Sequence, residues 1–344
     1  MIQQIHGGDV YRHRGVTDFS SNRNPLGTPP GVLRAAEESI RLISQYPDIF
    51  CTELRTALAA KEGVSGEEIL FGNGAAELLF ALVQEARPRK ALLAVPAFLE
   101  YEQALRSAGC EIHHYVLKAE NGFRLREDFL QELVPGLDMV FLCNPNNPTG
   151  LTIPRELLDR ILARCEACGI LLVLDECFLD FLDEPEAYSM RERMKRSKSL
   201  FLLRAFTKIY AMAGLRLGYA LCSDRVRLSR IRDCLQPWNV SLPAQAAGTA
   251  ALREDGYLAE SRRVIREERQ YLLRELKKLP LTVYDSEAGY VFFSGREDLG
   301  ELALAAGFLI RDCSNYPGLT KGYYRIAVRA HEDNERLIQW LNQL

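Results

Sequence analysis

Short apolar runs alternate with longer stretches of helical spacing through the middle of this chain, and that alternation restricts the fold more than any other feature. Runs at 90–95, 139–143, 169–174, 199–204 and 217–222 are strand length and rich in Val, Leu and Phe. Residues 77–85, 97–107, 154–168 and 224–235 carry the period of amphipathic helices, with Pro154 suited to a first helical turn. A further helix is expected from Pro243 through the small residues of 244–251. Strands that are apolar throughout are buried on both faces, so the pattern predicts an α/β fold, a mostly parallel sheet covered by helices.

Beyond residue 257 the texture changes. The charged stretch 257–278 reads as a long exposed helix, and after it strands at 281–284, 290–293, 308–311 and 324–328 mix with helices at 299–306 and 332–344. A chain of 344 residues, at about 150 per domain, fits roughly two units. With 43 basic against 46 acidic residues the net charge is -3, which lacks the basic excess of a nucleic-acid binder. No run approaches the roughly 18 apolar residues of a membrane span, and the N-terminus is too polar for a signal peptide, so a cytoplasmic address is expected. Nine scattered cysteines read as reduced, buried small side chains. The pair Cys165 and Cys168 lacks a second pair to complete a zinc site, and no metal is expected.

Four features sit at or just after the ends of apolar runs, where α/β sheets place ligands. Gly72-Asn73-Gly74-Ala75-Ala76-Glu77 leads into a helix, and its free backbone N–H groups suit a phosphate; alone, such a turn is more often structural. Cys143-Asn144-Pro145-Asn146-Asn147-Pro148-Thr149-Gly150 is a proline-stiffened loop whose amides can point into a cleft, or simply a rigid turn. Asp175 closes a buried apolar strand, and a charge there needs a cation or a protonated nitrogen. Lys208, in Phe206-Thr207-Lys208-Ile209-Tyr210, stands at a strand end in an apolar setting, where a lysine can lose its proton and act as a nucleophile. A lone lysine would more often be a surface residue, but four such features together point to a catalytic cleft.

These residues resemble the fold-type I pyridoxal 5'-phosphate enzymes, in the class I/II aminotransferase branch, from Asn22 to Arg329. Within that branch the chain resembles histidinol-phosphate aminotransferases and, more closely, threonine-phosphate decarboxylases. The closer likeness rests on His6-Gly7-Gly8, on Asp18-Phe19-Ser20-Ser21-Asn22-Arg23-Asn24-Pro25-Leu26-Gly27, and on Ser314-Asn315-Tyr316-Pro317-Gly318-Leu319 ahead of Tyr323-Tyr324-Arg325-Ile326-Ala327-Val328-Arg329. The resemblance implies an aspartate-aminotransferase-like fold with a large cofactor-binding domain at 40–250 and a small domain made of 1–39 and 251–344. It implies Lys208 as the Schiff-base lysine, Asp175 beside the pyridine nitrogen, Asn147 as donor to the ring O3' and Phe98 on the ring face. Gly74, Ala75, Thr207 and Arg216 would hold the phosphate, and Tyr46 would reach it from the other subunit of a homodimer with a shared active site.

Some positions depart from the aminotransferase pattern in a direction that bears on the reaction. Phe178 stands where histidinol-phosphate aminotransferases carry tyrosine and threonine-phosphate decarboxylases tend to carry phenylalanine. Ala205 replaces a small hydroxyl residue, and Asp9 stands where the decarboxylases usually have asparagine. Arg325 matches the family's substrate-anion arginine, and His6, Asn24 and Arg311 join it as expected contacts for a small anionic amino-acid substrate, with Arg12, Arg329, Tyr316 and Tyr323 as helpers. The reading is decarboxylation of O-phospho-L-threonine to 1-amino-2-propanol O-phosphate, as in cobalamin biosynthesis. The alternative is transamination of histidinol phosphate or another amino acid with 2-oxoglutarate. A silent ligand-binding module is disfavoured by the joint presence of Lys208, Asp175, Asn147 and Arg216.

Overall fold

The computed structural model describes residues 6–344 and contains the expected α/β architecture. Its main sheet has seven strands in the order Ile69–Asn73, Leu217–Leu221, Leu200–Ala205, Leu171–Asp175, Met139–Cys143, Lys90–Val95 and Glu111–Val116. Leu217–Leu221 runs antiparallel to both of its neighbours and the remaining pairings are parallel. Strand periodicity explains why the runs look continuously apolar. In Met139–Cys143, Val140 and Leu142 join the core on one face while Met139, Phe141 and Cys143 join the core on the other. Glu111–Val116 is an edge strand, and His113 and His114 on it pair with Glu111 and Glu102.

Two features of this sheet were not anticipated. Ile69–Asn73 escapes a pattern search because Gly72 and Asn73 are poor strand formers. Its register, Gly72 opposite Gly218, depends on the absence of side chains, since a Cβ at Gly218 would stand 2.2 Å from the Ala75 nitrogen. The antiparallel direction of Leu217–Leu221 is likewise invisible in its sequence.

A second, antiparallel sheet pairs Arg311–Asp312, Tyr323–Ala327, Tyr290–Ser294 and Thr282–Val283 in that order. The single strand expected at 308–311 divides in two: Phe308–Leu309 pairs in parallel with Thr17–Asp18, and Arg311 turns to the other sheet. The helix Asp255–Leu276 connects the cores, burying Ile265 with the main sheet and Leu272 and Leu276 with the smaller one. All nine cysteines are free, six of them buried. Among the described residues no helix is long and apolar enough to cross a membrane, and no group of metal-ligating side chains is assembled.

Candidate active site

The C-terminal strand ends of the main sheet converge on a cleft of about 630 Å³ of free space, open to solvent and lined by Ala75, Phe98, Asn147, Asp175, Thr207, Lys208 and Arg216. Backbone and side chains tie two of these strand ends together. Glu176 N–H donates to the Leu203 carbonyl at 2.8 Å, and the buried Arg204 donates through Nε and Nη2 to Glu176 Oε2 at 2.9 and 2.7 Å. Arg204 also pairs with Glu62 at 3.2 Å, so a buried, mutually neutralising network fixes Asp175 relative to Lys208.

Asp175 is 8% exposed and forms no ion pair among the described residues. Its donors are neutral: Tyr101 Oη–H to Oδ2 at 2.5 Å and Cys177 N–H to Oδ1 at 2.9 Å. Tyr101 is fully buried against Phe141, and burial with the Asp175 charge beside it pushes its hydroxyl well above the ordinary range. A buried carboxylate with neutral partners retains an unbalanced charge, suited to a protonated ring nitrogen. Opposite it stands Lys208, which begins its chemistry from a four-residue helical turn, Phe206–Ile209. Burial, then the Arg325 charge, lowers its ammonium below the usual lysine value. Its Nζ lies 5.8 Å from the centre of the Phe178 ring, which offers no hydroxyl.

The phosphate-type end of the cleft is built from backbone. Gly74, at φ 82° and ψ 160°, occupies a region that only glycine enters readily, and it caps the twelve-residue helix Ala75–Ala86. A Cβ on Gly74 would fall 2.2 Å from Arg216 Nη2, so the bare glycine is what lets the guanidinium lie over the helix N-terminus.

Beyond Lys208 the cleft continues into a polar hollow bordered by His6, Ser20, Asn22, Glu100, Arg311 and Arg325. Arg311 and Arg325 are 4% and 5% exposed and lie directly opposite each other on adjacent antiparallel strands. Arg325 donates through Nη1 to Asn147 Oδ1 and through Nη2 to the Ser20 carbonyl at 2.6 Å, while its buried Nε has no partner among the described residues. Because arginine only donates, Asn147 must face it with oxygen, which leaves the Asn147 amide hydrogens for the cleft. Arg311 donates to Asn315 Oδ1 at 2.9 Å and lies 5.0 Å over the Tyr316 ring.

Several expected site residues therefore meet in one place, while Asn24, Tyr46, Arg329, Tyr323 and Arg12 stand outside it. Asn24 lies away from the hollow: its Nδ2 donates to the Ile209 carbonyl and Ser261 Oγ, both at 2.7 Å, and its Oδ1 accepts from Leu26 N–H at 3.0 Å. The asparagine that does face the hollow is Asn22, with its Oδ1 buried and unpartnered. Nothing local separates the two, which are alternate residues of one extended segment. Tyr46 is 78% exposed, packed on Trp238 at 4.7 Å and absent from its own chain's cleft. Arg329 and Tyr323 border neither cavity, whereas Tyr316 does. Sequence reading missed Tyr101 and Glu100; the spacing of Tyr101 three residues after Phe98, on the same helical face, was the available signal for the former.

The family model for aminotransferases of class I and II matches residues 14–342. The chain belongs to that family. Its members are pyridoxal 5'-phosphate enzymes. This family member is 39% identical to a threonine-phosphate decarboxylase of Salmonella typhimurium, over all of this chain and 97% of the relative. Among solved structures it superposes on a histidinol-phosphate aminotransferase of Clostridium acetobutylicum with a TM-score of 0.88 at 28% identity, over 94% of this chain and 98% of the other. An L-threonine-O-3-phosphate decarboxylase of Porphyromonas gingivalis gives a TM-score of 0.83 at 26% identity, with the same coverage of both chains.

Proposed function

We propose that this chain is a threonine-phosphate decarboxylase that releases CO2 from O-phospho-L-threonine to give 1-amino-2-propanol O-phosphate. The observation that carries the reading is the opposed pair Arg311 and Arg325. Two buried guanidinium groups facing one another across a strand pair are destabilising without an anion between them. The unpartnered Arg325 Nε adds a donor that a planar anion can use. A substrate with both a carboxylate and a phosphate ester supplies more negative charge than one acidic group, and the hollow is built for that excess. The 39% identity to a named threonine-phosphate decarboxylase supports the same choice.

The residues present fit pyridoxal 5'-phosphate. Lys208 would be the amine for covalent attachment, Asp175 would balance a protonated ring nitrogen, the Asn147 amide would donate to the ring oxygen and Phe98 would cover the ring. Ala75 N–H, Thr207 and Arg216 would hold its phosphate. When bound, this cofactor supplies an electron sink for the pair of the bond broken at the substrate Cα. Arg311 and Arg325 would decide which bond that is, by holding the substrate's two anionic groups. Asp175, held by Tyr101 and Cys177, would hold the proton on the ring nitrogen. Lys208, whose ammonium loses its proton more easily than an ordinary lysine's, would serve as base and proton carrier at the substrate.

The exposed apolar residues Ile43, Tyr46, Phe50 and Trp238 support a homodimer in which Tyr46 enters the partner's cleft. Residues 40–250 then form the cofactor domain and 1–39 with 251–344 the small domain, the helix Pro30–Ser39 packing on Leu242–Ala251 at their junction. Nine free thiols support a reducing, cytoplasmic address. The test supplies O-phospho-L-threonine and histidinol phosphate in parallel with 2-oxoglutarate. CO2 from the former is the expected result; glutamate formation without CO2 would assign the chain to the transaminases instead.

A further inference from the structure

Glu100 is out of place in the substrate hollow. The cavity gathers Arg311, Arg325 and Lys208 around what should be an anion, yet the helix Leu99–Ser107 points a carboxyl group into it. One oxygen, Oε1, lies 3.2 Å from His6 Nδ1, and the other, Oε2, is buried without a partner among the described residues. A carboxylate oxygen left bare in a buried position is costly, and an ionised one would also repel the ligand the arginines attract.

We propose that Glu100 takes part in substrate recognition as a neutral carboxylic acid, its Oε1 accepting from His6 Nδ1–H and its Oε2–H donating to an oxygen of the substrate's phosphate ester. Charge balance favours this form. A phosphate ester carries about -1.5 to -2 and a carboxylate -1, against two guanidinium charges, so a further negative group would leave the complex short of cations. The groups facing Glu100 are His6 from the N-terminal segment, Lys208 from the turn after its strand, Arg311 from the small sheet and the buried Tyr316 beyond it. Burial raises the Glu100 carboxyl and outweighs the opposing pull of His6, Lys208 and Arg311. A bound dianion weakens that pull further. The proposal rests on the hollow being the substrate anion site, and it makes Glu100 a specificity residue that admits an oxyanion only with a proton.

The sign of the pH effect follows. Binding favours the protonated form, so affinity falls as pH rises through the titration of Glu100, at most about tenfold per pH unit for one linked proton. The test uses the cofactor-loaded enzyme and sulfate, a dianion whose own charge is constant at and above the ordinary glutamate value of about 4.3, so it does not titrate alongside a raised carboxyl. Affinity is read by calorimetry in two buffers of different ionisation enthalpy, which also counts protons taken up. Wild type should bind more weakly as pH rises and take up a proton. Glu100→Gln, which keeps an N–H donor at the same place, should lose the Glu100 part of that slope and bind at high pH at least as tightly as wild type. His6→Gln should weaken binding but keep a slope.

An equal slope in Glu100→Gln and wild type, or a uniform loss of tenfold or more in Glu100→Gln, would overturn the proposal, the latter by showing that an ionised carboxylate is required. A slope lost in His6→Gln and kept in Glu100→Gln would assign the proton to His6 and overturn it as well. The assay is independent of CO2 release. If O-phospho-L-threonine proves not to be the substrate while the sulfate slopes differ as expected, the role of Glu100 stands and the reaction assigned above falls.

Discussion

Replacing Tyr101 by Phe, in a cycle with Asp175→Asn, isolates the hydrogen bond between these two residues from the hydroxyl's other neighbour, Cys143. The ring keeps its stacking on Phe141 at 5.5 Å and its edge contact with Phe98 at 5.5 Å, so packing is preserved and only the hydroxyl 2.5 Å from Asp175 Oδ2 is lost. A hydrogen bond to a charged group contributes roughly 1.5–3 kcal/mol, and here the orphaned acceptor is buried, so a loss of about 2 kcal/mol is expected. In an Asp175→Asn background the same bond is neutral and its removal should cost about 1 kcal/mol. The coupling between the two positions is then about 1 kcal/mol, read from urea midpoints of the four cofactor-free proteins at unchanged m. Cofactor affinity gives a second reading: Tyr101→Phe should weaken it, because Asp175 loses one of the two donors that aim it. Coupling below about 0.3 kcal/mol, within the additivity of independent sites, would refute the view that Tyr101 holds the Asp175 charge in place.

Three further outcomes are expected. Gly74→Ala should weaken cofactor binding by about tenfold or more, equivalent to 1.4 kcal/mol, because the new Cβ meets Arg216 and the backbone there is strained for any side chain; equilibrium dialysis measures it. Asn24→Ala should destabilise the protein by roughly 1–3 kcal/mol, by stripping a donor from the Ile209 carbonyl next to Lys208, and should speed amide exchange across 208–211. Lys208→Met should remove a pH dependence. The folded state lowers the Lys208 value, so cofactor-free wild type gains stability as pH rises from that lowered value toward the ordinary lysine value of about 10.4, and the variant lacks this increment; urea midpoints of the pair at stepped alkaline pH show the difference.

The sequence by itself determined the layered α/β plan and the chemically active strand ends. Continuous apolar runs have no stable place except between two helical layers, and Asp175 and Lys208 stand out because charges at the ends of such runs must have partners. The lysine and the aspartate were legible for that reason, and Asn147 and the Gly74 turn by their place just after apolar strands. Only the tertiary structure decided how distant segments meet. It paired Thr17–Asp18 with Phe308–Leu309, reversed Leu217–Leu221 against its neighbours, and set Arg311 opposite Arg325 across two strands. It also chose Asn22 over Asn24 for the hollow, placed Tyr101 under Asp175 and left Glu100 among the arginines. Local pattern fixes which face of an element is buried. What touches that face is set by register and crossing between segments that the chain separates by up to hundreds of residues, and this is where the specificity of the site resides.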